Sequence, residues 1–184
     1  MRQLSMKYVG GRIPVKHAEG VSVRNYREED FEVMLDALVP LTVQRYTEKE
    51  LNDVILKKPG VKPEGVFVAD VDGKLAGTAT GYFHVQTETR QADDGGTLHM
   101  VSALSEVSGK RVGYSVCAEA VNYLIEAGCS YVDLTTDDFR LPAIVTYHRL
   151  GFRAVIDEPE MEERWNAIAE KLGIPALTKE AYRI

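Results

Sequence analysis

The sequence has few cysteines, no long apolar run and no excess of positive charge, and each absence excludes a class of protein. Two of its 184 residues are cysteine, Cys117 and Cys129, which is too few for a disulfide framework and does not form a metal-ligand pattern. No apolar stretch approaches the roughly 18 residues of a membrane helix, and none follows the charged N-terminus, so we expect no secretory signal. The formal net charge of −6 argues against binding to a nucleic-acid backbone. These features predict a cytoplasmic protein without nucleic-acid or membrane partners.

Several catalytic signatures are missing as well. The sequence contains no Gly-Lys-Ser/Thr phosphate loop and no Gly-x-Gly-x-x-Gly turn. The segment Gly113-Tyr-Ser-Val-Cys117 lacks the second glycine of a hydrolase nucleophile elbow. No zinc-ligand spacing links the four histidines, which are His17, His84, His99 and His148. We therefore expect no bound metal.

The hydrophobic pattern predicts one mixed α/β domain. Residues 1–20 are rich in glycine and show little periodicity, which indicates an extended or flexible leader. Period-2 and helical patterns then alternate over residues 21–173 in the order β-α-α-β-β-β-α-β-α-β-α, ending in an amphipathic helix. Residues 174–184 are predicted to be a C-terminal tail. Helices that follow strands in this way pack on a central sheet.

Local signals mark the ends of several elements. Asp72-Gly73 between two strand-like runs predicts a hairpin. Thr47 and Glu50 form a capping-box pattern at the start of a helix. Glycines that follow apolar helical runs predict C-terminal caps at Gly128, Gly151 and Gly173.

The turn from Ser108 to Gly113 carries the clearest chemical signal. It follows the predicted strand Leu98–Leu104 and opens a long helix, so its backbone N–H groups and the positive end of the helix dipole favour phosphate oxygens. Lys110 and Arg111 add positive charge at this place. The alternative is an ordinary strand-to-helix turn with two exposed basic residues.

Two motifs resemble the GNAT superfamily of acyl-CoA-dependent N-acyltransferases. Ser108-Gly-Lys-Arg-Val-Gly113 is similar to the family's Arg/Gln-x-x-Gly-x-Gly/Ala turn, and Thr136–Phe152 is similar to its segment Asn-x-x-Ala-x-x-x-Tyr-x-x-x-Gly-Phe. The residues in register in the second motif are Pro142, Ala143, Tyr147, Gly151 and Phe152. The resemblance is specific over residues 98–152, and the order of elements extends it over 21–157.

Three positions depart from the family pattern. Ser108 replaces the usual Arg or Gln, Arg111 replaces the inner glycine, and Arg140 stands where the family often carries an Asn near the pantetheine arm. We expect Arg111 to adopt an ordinary helical backbone, as the first turn of a helix allows. None of these changes removes a main-chain donor.

The resemblance implies a GNAT-like fold and an acetyl-CoA site. The expected fold is a central mixed, mostly antiparallel sheet of six to seven strands flanked by helices and splayed between the fourth and fifth strands. The pantetheine arm of acetyl-CoA would bond to backbone groups near Val101 and Ala103. The pyrophosphate would lie on the N–H groups of Ser108, Gly109, Lys110, Arg111, Val112 and Gly113.

The resemblance also implies catalytic roles. Tyr147 corresponds to the family's tyrosine that protonates the leaving thiolate as general acid; from the residues alone, an aromatic that packs in the core is the alternative. A base or a water chain is expected to deprotonate the amine, and the candidates left open are His84, Glu88, His99 and Asp137. An acyl-cysteine intermediate is not expected, because neither cysteine has an obvious activating partner.

The predicted activity is therefore transfer of an acetyl group from acetyl-CoA to a primary amine of a small molecule or peptide, by direct attack in a ternary complex. The hypothesis of a cationic acceptor, against the alternative of a solvated acidic surface, rests on Glu48, Glu50, Asp53, Glu88, Asp93 and Asp94. Trp165 is expected to anchor the C-terminal helix, which could instead support a homodimer. The other functional alternatives are a non-catalytic acyl-CoA-binding module and an unrelated α/β domain.

Overall fold

A computed structural model of the chain describes residues 2–38 and 45–184. Its strands are β1 (Leu4–Tyr8), β2 (Val21–Asn25), β3 (Val61–Val71), β4 (Lys74–Phe83), β5 (Gly95–Ala103), β6 (Tyr131–Thr136), β7 (Arg153–Ile156) and β8 (Tyr182–Arg183). Its helices are α1 (Phe31–Ala37), α2 (Glu48–Leu51), α3 (Val112–Glu126), α4 (Leu141–Leu150), α5 (Pro159–Leu172) and α6 (Ala176–Lys179). None of the helices in these two ranges is long and apolar enough to span a bilayer.

All eight strands form one sheet in the order β2-β3-β4-β5-β6-β1-β7-β8. The pairs β5–β6 and β7–β8 are parallel, and the other pairs are antiparallel. The mixed, mostly antiparallel sheet flanked by helices is confirmed, with eight strands rather than six to seven.

The additional strands come from the two ends of the chain. β1 lies in the region predicted to be a leader, yet it pairs with both β6 and β7, and Leu4 and Met6 are completely buried. In the region predicted to be a tail, β8 pairs with β7, and Leu177 of α6 is buried. Both segments join the sheet because their apolar side chains enter the core.

Helix α3 packs directly on the sheet, and small residues allow this close approach. A Cβ at Gly81 would lie 3.0 Å from the carbonyl oxygen of Ala120, and a Cβ at Gly77 would lie 2.7 Å from Val112 Cγ1. The fully buried Leu124 belongs to the same core cluster as Trp165, which anchors α5 as expected. A second cluster, between α1, α2 and β3, covers the opposite face of the sheet.

The local signals read from the sequence are confirmed. Asp72 and Gly73 have φ values of 51° and 80° at the β3–β4 hairpin. In the capping box, the backbone N–H of Thr47 donates to Glu50 Oε2 at 2.8 Å, and the N–H of Glu50 donates to Thr47 Oγ1 at 3.2 Å. The three capping glycines, Gly128, Gly151 and Gly173, all have positive φ.

Candidate active site

Strands β5 and β6 begin side by side and then separate. Their parallel pairing comprises three residue pairs and ends at Thr97↔Asp133, although β5 continues to Ala103 and β6 to Thr136. This is the separation expected between Leu98–Leu104 and Tyr131–Thr136. It leaves one edge of β5 open over its second half.

The open edge presents the backbone groups of Val101 and Ala103. The N–H of Leu104 donates to the carbonyl oxygen of Ala76 at 2.8 Å, on the β4 side. Because successive backbone groups of a strand point to opposite edges, those of Ala103 and Val101 point toward β6, where the two strands are no longer paired. These are the two residues predicted to bind the pantetheine amides.

A bulge in β5 sets this direction. Thr80 pairs with His99 and Thr78 with Ser102, so two residues of β5, Met100 and Val101, lie opposite one residue of β4. Met100 has a φ of 49°, which is uncommon for a residue with a side chain. Bulges re-aim a strand and are frequent next to active sites.

The gap between the strands opens into a cleft of about 1060 Å³. Its lining comes from β5, the turn before α3, helix α4, and parts of β1 and β6 that include Lys7 and Asp133. The sequence-predicted residues that line the cleft are Val101, Ala103, Ser108, Gly109, Arg111, Val112, Gly113 and Tyr147. The chain thus brings these predicted site residues to one cavity.

The turn before α3 presents free backbone donors. The N–H groups of Ser108 and Lys110 already donate to the carbonyl oxygens of Ser105 and Val107, each at 3.1 Å. Within residues 2–38 and 45–184, no protein acceptor takes a hydrogen bond from the remaining N–H groups, those of Gly109, Arg111, Val112 and Gly113. Four of the six predicted donors are therefore free to bind an anion, at the positive end of the α3 dipole.

Arg111 does not have the helical backbone expected from the sequence. Its φ is 59° and its ψ is 25°, the left-handed conformation, at the N-cap of α3. The position thus keeps the geometry that favours glycine, although an arginine occupies it. The guanidinium lies 4.6 Å from the centroid of the Tyr114 ring, and Arg111 lines the cleft.

Lys110 lies outside this cleft. Its ammonium is 3.1 Å from Asp72 Oδ2, in the β3–β4 hairpin. Of the two basic residues in the turn, Arg111 alone therefore adds positive charge to the cavity.

Tyr147 packs in the core and also lines the cleft. It is 7% exposed and lines the cleft, while its ring packs 6.1 Å from that of Phe152. Burial, with a smaller effect from Cys117, raises the pKa of its hydroxyl, and Arg140 opposes the rise. The phenol therefore remains protonated at neutral pH and can donate its proton. Arg140, the departure from the family's Asn, lines the same cleft.

Among the candidate bases, His99 lines the cleft as a neutral imidazole. Its Nε2 is 3.0 Å from the carbonyl oxygen of Val54, so Nε2 carries a proton and Nδ1 is the acceptor. Burial, with a smaller effect from Lys58, lowers the pKa of His99 to about 4. A base this weak holds few protons at neutral pH.

The other three candidates occupy different environments. Asp137 lines the cleft, but its oxygens accept hydrogen bonds from Arg140 Nε at 2.9 Å and Gln3 Nε2 at 3.0 Å, which lower its pKa. Glu88 is exposed and does not line the cleft. His84 has a completely buried side chain behind the point where β5 and β6 separate.

The acidic residues chosen for a cationic acceptor do not line the cleft. Glu50 caps α2, Asp53 pairs with Lys49, and Asp93 binds His84. Within the described part of the chain, the charged side chains that do line it are four cations and two carboxylates, Lys7, Arg90, Arg111, Arg140, Asp133 and Asp137. The cavity therefore has a surplus of positive charge in a protein of net charge −6.

Three polar residues at the base of the cleft were not identified from the sequence. Arg90, Thr97 and Asp133 meet there, with Arg90 Nη2 at 2.9 Å from Asp133 Oδ2 and Thr97 Oγ1 at 2.5 Å from Asp133 Oδ1. They are separated by up to 43 residues in the chain. Thr97 in β5 and Asp133 in β6 each follow the alternating pattern of a strand, which was the available signal for the sheet face on which each side chain lies. This pattern does not indicate which strands pair.

Both cysteines are buried free thiols. Burial raises the pKa of Cys117 and of Cys129, which disfavours the reactive thiolate. Among the described residues, no group of three or more His, Cys, Asp or Glu side chains is arranged to hold a metal ion.

Comparison with known proteins identifies relatives over most of the chain. The model of the Acetyltransferase (GNAT) family matches residues 23–152. Mycothiol acetyltransferase of Corynebacterium jeikeium (strain K411) is 28% identical over 74 residues, 39% of this chain and 21% of that protein. The Xenopus tropicalis protein named "Probable N-acetyltransferase camello" is 28% identical over 111 residues, 59% of this chain and 48% of that protein. The chain thus spans half or less of the length of these curated relatives.

A solved structure shares the fold. The GCN5-related N-acetyltransferase from Sphaerobacter thermophilus superimposes with a TM-score of 0.64 at 18% identity, covering 83% of this chain and 49% of that one. At this identity the match shows the fold alone.

Proposed function

Because the chain belongs to the Acetyltransferase (GNAT) family, we propose that it transfers the acetyl group of acetyl-CoA to a primary amine, by direct attack in a ternary complex. One observation carries the proposal: the open edge of β5, the free amide donors before α3 and the Tyr147 side chain all meet in one cleft.

The groups that line the cleft match successive parts of acetyl-CoA, from the pyrophosphate to the pantetheine arm. The four free N–H groups between Gly109 and Gly113 match the acceptor oxygens of a pyrophosphate. The backbone groups of Val101 and Ala103 match the amides of a pantetheine arm, which would add to the sheet edge as a strand does. When bound there, acetyl-CoA supplies the activated acetyl group.

The chain's own groups then position and polarise the reactants. A β5 backbone N–H at the bulge can donate to the thioester oxygen, where negative charge develops during attack. The buried Tyr147 hydroxyl donates a proton to the departing thiolate as general acid. Arg140, which shares the cleft, favours the anionic form of groups near it.

The acceptor is proposed to be a small-molecule or peptide amine that enters from the side of Lys7, Arg90 and Asp133. The positive surplus of the lining favours an amine that also carries an anionic group over a polycation. This replaces the hypothesis of a cationic acceptor.

The competing proposal is a non-catalytic acyl-CoA-binding module. Both proposals predict stabilisation by acetyl-CoA, but only an enzyme releases CoA thiol in proportion to added amine. The deciding experiment is therefore thiol release with a panel of primary amines, preceded by thermal unfolding with acetyl-CoA to establish binding. Stabilisation without amine-dependent thiol release across the panel would favour the binding module.

We place the reaction in the cytoplasm, because free cysteines such as Cys117 and Cys129 are typical of a reducing compartment. A homodimer through α5 stays a prediction, which light scattering of the purified chain would test.

A further inference from the structure

Four side chains form a row across four strands at the base of the cleft. Lys7 of β1 is in register with Asp133 of β6, and Asp133 is in register with Thr97 of β5. Thr97 is in turn opposite Tyr82 of β4. Residues opposite one another in a sheet point to the same face, and all four line the cleft. We call these four residues the cross-strand row.

The cross-strand row lies on the face of the sheet opposite α3. Met6 and Leu134, which are next to members of the row along their strands, are buried in the core cluster that contains α3. Successive side chains of a strand point to opposite faces, so the row points away from that core. The cleft runs from the row to the β5 bulge, because every residue of β5 from Thr97 to Val101 lines it.

The row lies at a fixed distance from the bulge, where the thioester is proposed to bind. Thr97 precedes Met100 by three residues and Val101 by four. At about 3.3 Å per residue of strand, the separation is about 10–13 Å. An amine that attacks the thioester and a group held by the row are therefore this far apart.

Lys7 supplies an unpaired positive charge to the row. Within residues 2–38 and 45–184, its ammonium makes no hydrogen bond and no ion pair, and it lies over the ring of Tyr131 at 3.8 Å. A lysine ammonium has three N–H donors. These donors remain available to an anion in the cleft.

The other charges near the row do not neutralise Lys7. Arg90 Nη2 donates to Asp133 Oδ2 at 2.9 Å, so these two opposite charges offset one another. Asp93 does not line the cleft, and its Oδ2 accepts from the Tyr131 hydroxyl at 2.9 Å. The surplus positive charge of this end of the cleft is therefore that of Lys7.

We infer that the acceptor is an extended amino acid, with a primary amine and a carboxylate about 10–13 Å apart, and that Lys7 binds the carboxylate. The inference rests on the proposed function, because the thioester at the bulge fixes the position of the amine. Lys7 acts as a specificity-determining residue, which holds the acceptor and takes no part in bond making or breaking. A short peptide and an ω-amino acid share this chemistry.

The length of the acceptor provides the first test. An extended peptide spans about 3.3–3.6 Å per residue, so triglycine or tetraglycine reaches from the bulge to the row, whereas diglycine is too short. At pH 8, kcat/KM for thiol release should rise about 10-fold from diglycine to the better of these two peptides, as one charged hydrogen bond provides. Pentaglycine and hexaglycine should bring no further rise. A kcat/KM that is the same from diglycine to hexaglycine would overturn the inference.

The carboxylate and its partner are tested with amides and with variants of Lys7. Tetraglycine amide should react about 10-fold more slowly than tetraglycine. Lys7→Met keeps a long side chain over the Tyr131 ring and should make the two peptides react alike, whereas Lys7→Arg should preserve the difference. Lys62→Met is the matched control, because the Lys62 ammonium lies over the Phe83 ring at 4.8 Å and neither residue lines the cleft. An unchanged ratio in Lys7→Met, or an equal loss in Lys62→Met, would overturn the assignment of Lys7.

A second series of amines identifies the part between the two charged ends. 5-Aminopentanoate, 8-aminooctanoate and 11-aminoundecanoate have as many backbone bonds as diglycine, triglycine and tetraglycine. After correction for the fraction of neutral amine, both series should have their highest kcat/KM at the same length, and the faster series shows whether the spacer is a peptide or an alkyl chain. Highest values at different lengths in the two series would overturn the inference.

Equilibrium binding separates this inference from the proposed function. Titration calorimetry of tetraglycine and its amide into the full chain saturated with CoA requires no turnover. Tighter binding of tetraglycine than of the amide, lost in Lys7→Met, supports the Lys7 site even if no amine reacts, whereas equal binding or no binding of the two peptides overturns it. If acetyl-CoA does not stabilise the chain, the proposed function fails, and the same titration into the chain alone decides whether the Lys7 site exists.

Discussion

His99 Nε2 lies 3.0 Å from the carbonyl oxygen of Val54 and so joins β5 to the π-helical turn Asn52–Leu56. Partial burial and the nearby charge of Lys58 lower the pKa of His99 from 6.5 to about 4, although the hydrogen bond to Val54 favours the protonated form. One side chain thus couples the cleft to the α2 region.

The first prediction follows from this depressed pKa. Between pH 6.5 and 4 the unfolded chain binds a proton at His99 that the folded chain does not bind. The free energy of unfolding therefore has its full value above about pH 6.5 and falls as the pH drops toward 4. The contribution is on the order of 3 kcal/mol. Urea unfolding at pH 7 and pH 4.5 should show that His99→Gln loses this part of the pH dependence, whereas His17→Gln keeps it. An unchanged dependence in His99→Gln would contradict the assignment.

Acetyl-CoA should stabilise the folded chain. Ligand at about a hundred times its Kd adds about 2.7 kcal/mol, which for this size raises Tm by about 5–11 °C. Arg111→Glu should reduce the shift because Arg111 lines the cleft, whereas Lys110→Glu should leave it unchanged. Differential scanning fluorimetry with ADP as the control ligand measures both. Equal losses in the two variants would show that only the overall charge of the turn matters.

Tyr147→Phe should slow transfer while keeping the cofactor. Loss of the hydroxyl removes the general acid and lowers kcat about 100-fold, but the ring still packs against Phe152. Steady-state thiol release gives kcat, and the thermal shift gives CoA affinity. Tyr123→Phe, on α3 against Phe67 and Phe83, is the matched control. An unchanged kcat in Tyr147→Phe would show that Tyr147 only packs in the core.

The left-handed backbone of Arg111 predicts that glycine is more stable than alanine at this position, the reverse of their usual order in a helix. Arg111→Gly and Arg111→Ala lose the same guanidinium, but only glycine relieves the positive φ, so the Gly variant should be more stable by about 1 kcal/mol. At Glu119, within α3, the same pair should give the opposite order by about 1 kcal/mol. Urea unfolding of the four variants provides the comparison. Alanine equal to glycine at position 111 would mean that the turn relaxes out of this conformation.

The charge of the cleft predicts acceptor preference. Because its lining cations outnumber its carboxylates, 4-aminobutyrate and 2-aminoethyl phosphate should react with higher kcat/KM than 4-aminobutanamide and ethanolamine, and spermidine should react most slowly. Lys7→Met should raise KM for the two anionic amines and leave the neutral pair unchanged. Thiol release with each amine measures this order. A preference for spermidine would contradict the proposed preference for amines that carry an anionic group.

The sequence predicted the parts of this molecule that depend on neighbouring residues. The Thr47 cap, the Asp72-Gly73 turn and the helix from Val112 each follow from side chains within a few positions. Leu4, Met6 and Tyr8 also alternate as a strand requires, but a five-residue run that ends just before Gly10 and Gly11 does not indicate a partner strand.

The unpredicted features depend on contacts between distant segments. No residue-type signal marks the positive φ of Met100, which the β4–β5 bulge imposes. Arg111 was expected to be helical because it was placed in the first turn of the helix, whereas it is the N-cap and has a left-handed backbone. The contact of His84 with Thr97, and of Thr97 with Asp133, exists only once β5 and β6 are paired.

The position of β1 has a consequence for the order of folding during synthesis. Residues 4–8 leave the ribosome before the rest of this sheet, and both neighbours of β1, in β6 and β7, are made more than 120 residues later. At about 5–20 residues per second, this strand waits several seconds or more without a partner. Its polar Ser5 and Lys7, which alternate with Leu4 and Met6, reduce the risk of pairing with another chain during that interval.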